Sequence, residues 1–223
     1  MGNRLALHYR VSRSNFRRGS EGDPPLAVLP RNLFRWFIKV LVYVSRAGEK
    51  LEHALKSFDI SVIGLVCADF GSSTGGFVDC LLQSGAEKVY AVETGYGVLD
   101  YKLRQDKRVV VMERENAMHV ELPEKVDFIT LDTSWTKLDK VLPNAFKNLK
   151  DGSQIVALVK PHYEADPKML RKGKLLEEFI PEVLERVKAK LQELGIKILA
   201  EVESPILGEK GKNKEYLFHL SLI

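Results

Sequence analysis

The sequence predicts an α/β fold: a seven-stranded, mostly parallel sheet with an antiparallel C-terminal hairpin and helices on both faces. Three observations carry that prediction. From Ser45 onward, short apolar runs suited to buried strands alternate with segments of helical periodicity. The last two strands are joined only by the loop Ser204 to Lys214, which contains no helix, so they pair antiparallel. Near the start of the alternating region, Val66 to Phe77 reads VCADFGSSTGGF, an apolar strand running into a glycine loop and then a helix.

The elements follow in order. Residues 1 to 30 hold Ser, Arg, Gly and Pro with weak periodicity, which predicts loop or disorder. From Arg31 to Val44, RNLFRWFIKVLVYV is apolar with Arg35 and Lys39 interleaved; it reads as a helix or strand docking on the domain, or as a basic amphipathic helix for RNA or a membrane. Ser45 can cap a helix through Phe58, with Leu51, His53, Ala54, Leu55 and Phe58 on one buried face. Strands are expected near 65–70, 88–93, 108–112, 126–131, 153–160, 196–203 and 215–222, and helices near 76–84, 98–104, 135–149 and 174–194.

Composition bounds the function. The 223 residues are 45% hydrophobic and 29% charged, values of an ordinary domain with one sizeable core. The chain is too short of continuous apolar sequence for a membrane span, and the first apolar run lies too far from Met1 for a secretory signal. Cys67 and Cys80 show no CxxC spacing, which points to reduced core thiols and a cytoplasmic setting; no metal is expected. The net charge of +4 is uneven: residues 1–42 carry eight basic and two acidic residues, leaving the remainder slightly acidic. The division expected is a basic, partly disordered extension over 1–42 and one domain over 43–223.

The glycine loop holds Gly71, Gly75 and Gly76, residues that permit positive φ and a close approach of ligand to backbone. A side chain at Gly75 is accordingly expected to fill ligand space. The spacing departs from G-x-G-x-x-G and suits a nucleoside better than a pyrophosphate. Glu93, at the end of the second strand, is placed to accept hydrogen bonds from ribose hydroxyls, and Asn116 follows the third strand where an adenine edge would be read. Asp132 ends the fourth strand, facing the ligand crevice or capping the next helix. Lys160 ends the buried fifth strand, a costly position without a function or an ion-pair partner.

Several stretches make a resemblance specific: YVSRAGEKLEHAL from Tyr43, DFGSSTGGFVDCLLQSGAEKVYAVETGYG from Asp69, LDYKLRQDKRVVVMERENA, ALVKPHYE and SPILGEKGKNKEYL. Together they resemble the TlyA, or hemolysin A, family within the FtsJ-like ribose 2′-O-methyltransferases. The resemblance implies a Rossmann-like methyltransferase fold, S-adenosyl-L-methionine as cofactor, and methylation of cytidine 2′-hydroxyls in ribosomal RNA or ribosomal subunits. It carries the family's Lys-Asp-Lys-Glu tetrad onto Lys50, Asp132, Lys160 and Glu215. It also implies a cofactor site of Asp69, Gly71, Ser73, Thr74, Gly75, Gly76, Glu93, Asn116 and Asp132, with Arg46, Tyr163, Lys210 and Lys212 toward RNA. On this reading Lys160 removes the hydroxyl proton, its pKa lowered toward neutrality by Lys50 and by desolvation.

Three departures from the family pattern stand out. Residues 1–42 do not resemble the small RNA-binding domain with which such relatives begin. Thr133-Ser134-Trp135 and His162-Tyr163-Glu164 replace the family's usual runs beside Asp132 and Lys160. Two other functions remain open from the sequence: a non-catalytic RNA- or ribosome-binding protein that retains the fold, and a membrane-active hemolysin.

Overall fold

The computed structural model describes residues 42–134, 136–209 and 211–223. Residues 1–41 of the expected 1–42 extension, and with them most of the apolar Arg31–Val44 segment, lie outside the described residues, as do Trp135 and Lys210.

Seven strands form one sheet in the order β3-β2-β1-β4-β5-β9-β8. They are β1 (Val66–Phe70), β2 (Lys88–Glu93), β3 (Val109–Glu113), β4 (Val126–Leu131), β5 (Leu149–Val159), β8 (Ile196–Glu203) and β9 (Tyr216–Leu222). β1 to β5 pair in parallel, whereas β9 runs antiparallel to both β5 and β8. The final two strands therefore pair as the sequence predicts, and β9 inserts between β8 and the rest of the sheet.

The central strands read as nearly continuous apolar runs because helices cover both faces. On one face, α1 (Ala47–Ser57) and α2 (Gly76–Gln83) bury Leu51, Ala54, Phe77, Val78 and Leu81 against Cys67, Val89 and Phe128. The short α3 (Tyr101–Arg104) adds Leu103 there. On the other face, α4 (Leu138–Lys147) and α6 (Ile180–Glu193) bury Val141, Val183, Val187 and Leu191 against Phe70, Ile129 and Phe218. At the edge, β8 starts on buried Ile196 and then alternates exposed and half-buried residues, and its exposed Glu201 pairs with Lys188 of α6. Cys67 and Cys80 are both fully buried, and burial pushes each thiol up to about 12.

Val42 to Val44 lie along α2. Val44 N–H donates to Asp79 Oδ2 at 2.9 Å, Gln83 Nε2 donates to Val42 O at 3.0 Å, and Tyr43 is buried. Ser45 does not cap α1 by the usual long reach; its Oγ accepts from Ala47 N–H at 3.3 Å, and Arg46 is the residue at the helix end.

Two expected helices begin later than their apolar pattern suggests. α4 starts at Leu138 because Lys137 is extended, and the cap comes from far along the chain: Glu164 Oε1 accepts from Leu138 N–H at 3.0 Å. The expected helix over 174–194 is preceded by a hairpin, β6 (Leu170–Arg171) with β7 (Lys174–Leu175). Its two-residue turn puts Lys172 at φ 52° and Gly173 at φ 78°, the left-handed pair that suits strand twist. A further short helix, α5 (Pro161–Glu164), follows β5 directly. No helix among the described residues is long and apolar enough to cross a membrane.

Candidate active site

The strand order reverses direction between β1 and β4, and the crevice beyond their carboxyl ends is where open α/β sheets bind ligands. A cavity of about 620 Å³ lies there. That volume is in the range of a small-molecule or nucleoside site.

The loop after β1 is fixed by its own backbone. Gly71 and Ser72 N–H groups both donate to Val92 O, at 2.9 and 3.0 Å, and Gly75 N–H donates to Ser72 O at 2.7 Å. Gly71, Ser73 and Gly75 adopt φ of 89°, 49° and 99°. The glycines serve packing. A Cβ on Gly71 would meet the Asp132 carbonyl oxygen at 2.5 Å, and one on Gly76 would meet Ser45 Oγ at 2.2 Å. At Gly75 it would strike Leu103 at 2.2 Å and Leu99 at 2.7 Å, and Gly75 does not line the cavity. The expectation that a side chain there would occupy ligand space is corrected: it would displace α3 and the segment before it.

Glu93 takes part in holding this loop. Its Oε2 accepts from Ser73 N–H at 2.9 Å and its Oε1 from Gly95 N–H at 2.8 Å. Thr94 Oγ1 also donates to Oε1 at 3.1 Å, and of a carboxylate's roughly four acceptor positions about one, on Oε2, remains for a ribose hydroxyl. Asn116 lines the cavity while its Oδ1 accepts from Met118 N–H at 2.9 Å, setting a local turn.

Beneath the loop, Asp69 is 1% exposed. Thr130 Oγ1 donates to its Oδ1 at 2.7 Å, but among the described residues Oδ2 is buried without a partner, as is Ser72 Oγ on the same wall. Burial raises the Asp69 pKa to about 8, opposed by the Thr130 hydrogen bond and reinforced by Asp132 and Glu93. An orphaned carboxyl oxygen on the cavity wall is suited to a cationic ligand.

Lys50, Asp132, Lys160 and Glu215 come from α1, the end of β4, the end of β5 and the start of β9, and all four line this cavity. They form two ion pairs. Lys50 Nζ donates to Glu215 Oε2 at 2.5 Å, both side chains buried, and Lys160 Nζ contacts Asp132 Oδ1. The expected fall of the Lys160 pKa is overturned. Burial pulls it down, but the Asp132 carboxylate, with Glu215 behind it, outweighs burial and holds the ammonium above its usual value. Asp132 does not cap a helix, since the cap of α4 is Glu164.

Of the residues expected toward RNA, Arg46 and Tyr163 line the cavity, and Lys160 Nζ lies 5.9 Å from the Tyr163 ring centre. Lys212 is exposed and off the wall. Ser45, Ser72, Glu209 and His162 are wall residues that sequence reasoning passed over. His162 is the most informative: burial and the Lys160 cation push its pKa down to about 4, leaving a neutral imidazole whose Nδ1 is buried without a partner among the described residues. Its adjacency to Lys160 was the available signal. No cluster of His, Cys, Asp or Glu among the described residues could hold a metal.

A sheet of this order with one inserted antiparallel strand, and a polar cavity at its reversal point, defines the Rossmann-like methyltransferase class of fold. The chain belongs to the FtsJ-like methyltransferase family, whose model matches residues 43–222. It is 42% identical over 191 residues to hemolysin A of Brachyspira hyodysenteriae, covering 82% of this chain and 78% of that one. It is 39% identical over 186 residues to the 16S/23S rRNA (cytidine-2′-O)-methyltransferase TlyA of Mycobacterium tuberculosis, covering 80% and 68%. Among solved structures, a hemolysin candidate of Streptococcus thermophilus superposes with a TM-score of 0.78 at 43% identity, covering 82% of this chain and 68% of that one.

Proposed function

We propose that residues 43–223 are an S-adenosyl-L-methionine-dependent methyltransferase acting on a cytidine 2′-hydroxyl of ribosomal RNA in the cytoplasm, with residues 1–42 as a basic extension. The observation that carries this reading is the meeting of two lysines and two carboxylates, from four separate segments, on the cavity that also holds the glycine loop and the orphaned Asp69 oxygen. The named activity of the Mycobacterium tuberculosis relative supplies the substrate class.

Asp69, the wall residues Gly71, Ser72, Ser73, Thr74 and Gly76, and Glu93 and Asn116 would hold the cofactor, with the acidic wall favouring its cationic groups. When bound, it supplies a methyl group made electrophilic by a sulfonium. The protein's task is to orient the hydroxyl and manage its proton. Lys160, held as an ammonium, donates to the hydroxyl oxygen as negative charge grows on it. The proton leaves by exchange: Lys160 Nζ takes it while passing one of its own to the Asp132 carboxylate it already contacts, so the lysine's charge is unchanged and the proton ends on Asp132. The Lys50–Glu215 pair keeps a second carboxylate near Lys160 without leaving either charge buried alone.

The test is transfer of tritium from methyl-labelled cofactor into ribosomal subunits, with the modified nucleoside identified after digestion. Label in a 2′-O-methylcytidine is expected. Label in a base or in protein, or none at all on subunits lacking the modification, overturns the reading.

A further inference from the structure

The hairpin β6–β7 lies off the cavity wall and the loop between β8 and β9 contributes Glu209 to that wall; the two are far apart in sequence, yet the structure fastens them together. Asn213 is 3% exposed. Its Oδ1 accepts from Leu175 N–H at 2.9 Å and its Nδ2 donates to Gly173 O at 3.1 Å, while its own carbonyl accepts from Gly208 N–H at 2.9 Å. A single side chain thus bonds the hairpin's turn and its second strand, and its backbone closes the loop. The approach is close: a Cβ on Gly211 would lie 3.4 Å from Gly173 O. The hairpin is anchored below by buried Met169 and Leu175, and β7 packs against α5, the turn that carries His162 and Tyr163.

The tip of the joined surface is cationic, while the exposed acids Glu177 and Glu178 follow β7 and Glu209 lies toward the cavity. Arg171, Lys172 and Lys174 surround the hairpin tip and Lys212 lies on the facing loop, all exposed. Nearby lysines are neutralised: Lys168 pairs with Asp166 at 3.8 Å and Lys214 with Glu203 at 3.6 Å. Among the described residues, Arg171, Lys172, Lys174 and Lys212 have no acidic partner. Four unpaired cations on a pre-ordered two-piece surface match closely spaced phosphates, as contacts that position a strand without reading its bases. Lys172 holds a left-handed backbone that favours glycine or asparagine, so a lysine there puts charge at the tip at a cost in local strain.

We propose that the β6–β7 hairpin and the β8–β9 loop, locked by Asn213, form a phosphate clamp that holds the RNA backbone beside the cavity. This rests on the RNA reading of the cavity given above. Because the same loop runs into Glu215, strand docking and alignment of the Lys50–Glu215 pair share one mechanical element.

The test is equilibrium binding of a short single-stranded RNA oligonucleotide over a series of salt concentrations. The wild-type chain is compared with the triple variant Arg171→Gln, Lys172→Gln, Lys174→Gln and with Asn213→Ala, thermal melting confirming that each folds. The triple variant is expected to lose affinity and to flatten the log–log salt dependence by roughly 2, about 0.7 for each phosphate that is no longer neutralised. Asn213→Ala keeps every cation but frees the two pieces, so affinity should fall several-fold. A triple variant with unchanged slope, or Asn213→Ala with wild-type affinity, overturns the clamp. Failure of the two readings is separable: salt-dependent binding lost in the variants without any methyl transfer sinks the enzymatic reading alone, whereas transfer with unaltered variant binding sinks the clamp alone.

Discussion

Asp69→Asn should stabilise the ligand-free protein while weakening its hold on the cofactor. In the unfolded chain this carboxyl ionises near 3.8, whereas in the fold burial raises it to about 8. The folded state therefore binds more protons across that window, and stability falls as pH rises through it. About three pH units separate the unfolded value from pH 7, and at 1.36 kcal/mol each the native state forgoes roughly 4 kcal/mol there. Asparagine removes the ionisation, and its Oδ1 can still accept from Thr130 Oγ1. Denaturant unfolding of ligand-free protein should show the variant more stable by up to about 4 kcal/mol at pH 7 and by less than about 2 kcal/mol at pH 5. For a domain of this size the neutral-pH gain corresponds to a melting shift on the order of 10 °C. Calorimetry should show cofactor affinity reduced. A variant less stable than wild type at both pH values, or a gap that does not change with pH, would refute the account of Asp69 as a strained cation acceptor.

Three other outcomes are expected. Lys160→Ala should abolish methyl transfer while leaving cofactor binding largely intact; because its partners keep this lysine protonated through neutral pH, wild-type activity between pH 6 and 9 should show no rise from lysine deprotonation, and such a rise would restore the simple base assignment. The same pairing contributes stability below the unfolded lysine value of 10.5 and is lost only as pH climbs through the higher folded value. Gly75→Ala should cost roughly 2–5 kcal/mol of stability, from positive φ and the clash with Leu103 and Leu99; an unchanged melting temperature with cofactor binding lost would mean the side chain points at the ligand after all. Lys50→Ala, by leaving Glu215 charged and buried, should destabilise by about 3–5 kcal/mol, and Lys50→Met with Glu215→Leu should recover much of that stability without activity; a single variant as stable as wild type would show that Glu215 is solvated.

The sheet was legible because parallel strands covered on both faces announce themselves as apolar runs, and VCADF, KVYAVE and FITL lie within a residue or two of their expected bounds. The position of β9 was not, since an antiparallel pairing of two neighbours does not say on which side the pair joins a sheet. The β6–β7 hairpin was hidden by its two-residue strands and by Leu175, Leu176, Phe179 and Ile180, whose spacing continues the helical pattern of Val183 and Leu184. Asp132 and Lys160 were legible as polar residues at strand ends and Lys50 and Glu215 only through the family resemblance, but the charge on Lys160 depends on which carboxylate lies nearest, a matter of tertiary distance that spacing does not encode. The glycines misled in a similar way: the need for small residues was readable, the neighbour that imposes it was not.

Insertion of β9 sets an order of assembly. During synthesis β8 emerges before β9, so until β9 arrives the flank of β5 is an open ladder and Lys50 has no acidic counterpart. The half-built domain thus has an exposed edge at risk of pairing with other chains, and it lacks one corner of the four-residue charged cluster. Completion of the sheet closes that edge and brings Glu215 to Lys50 in a single event.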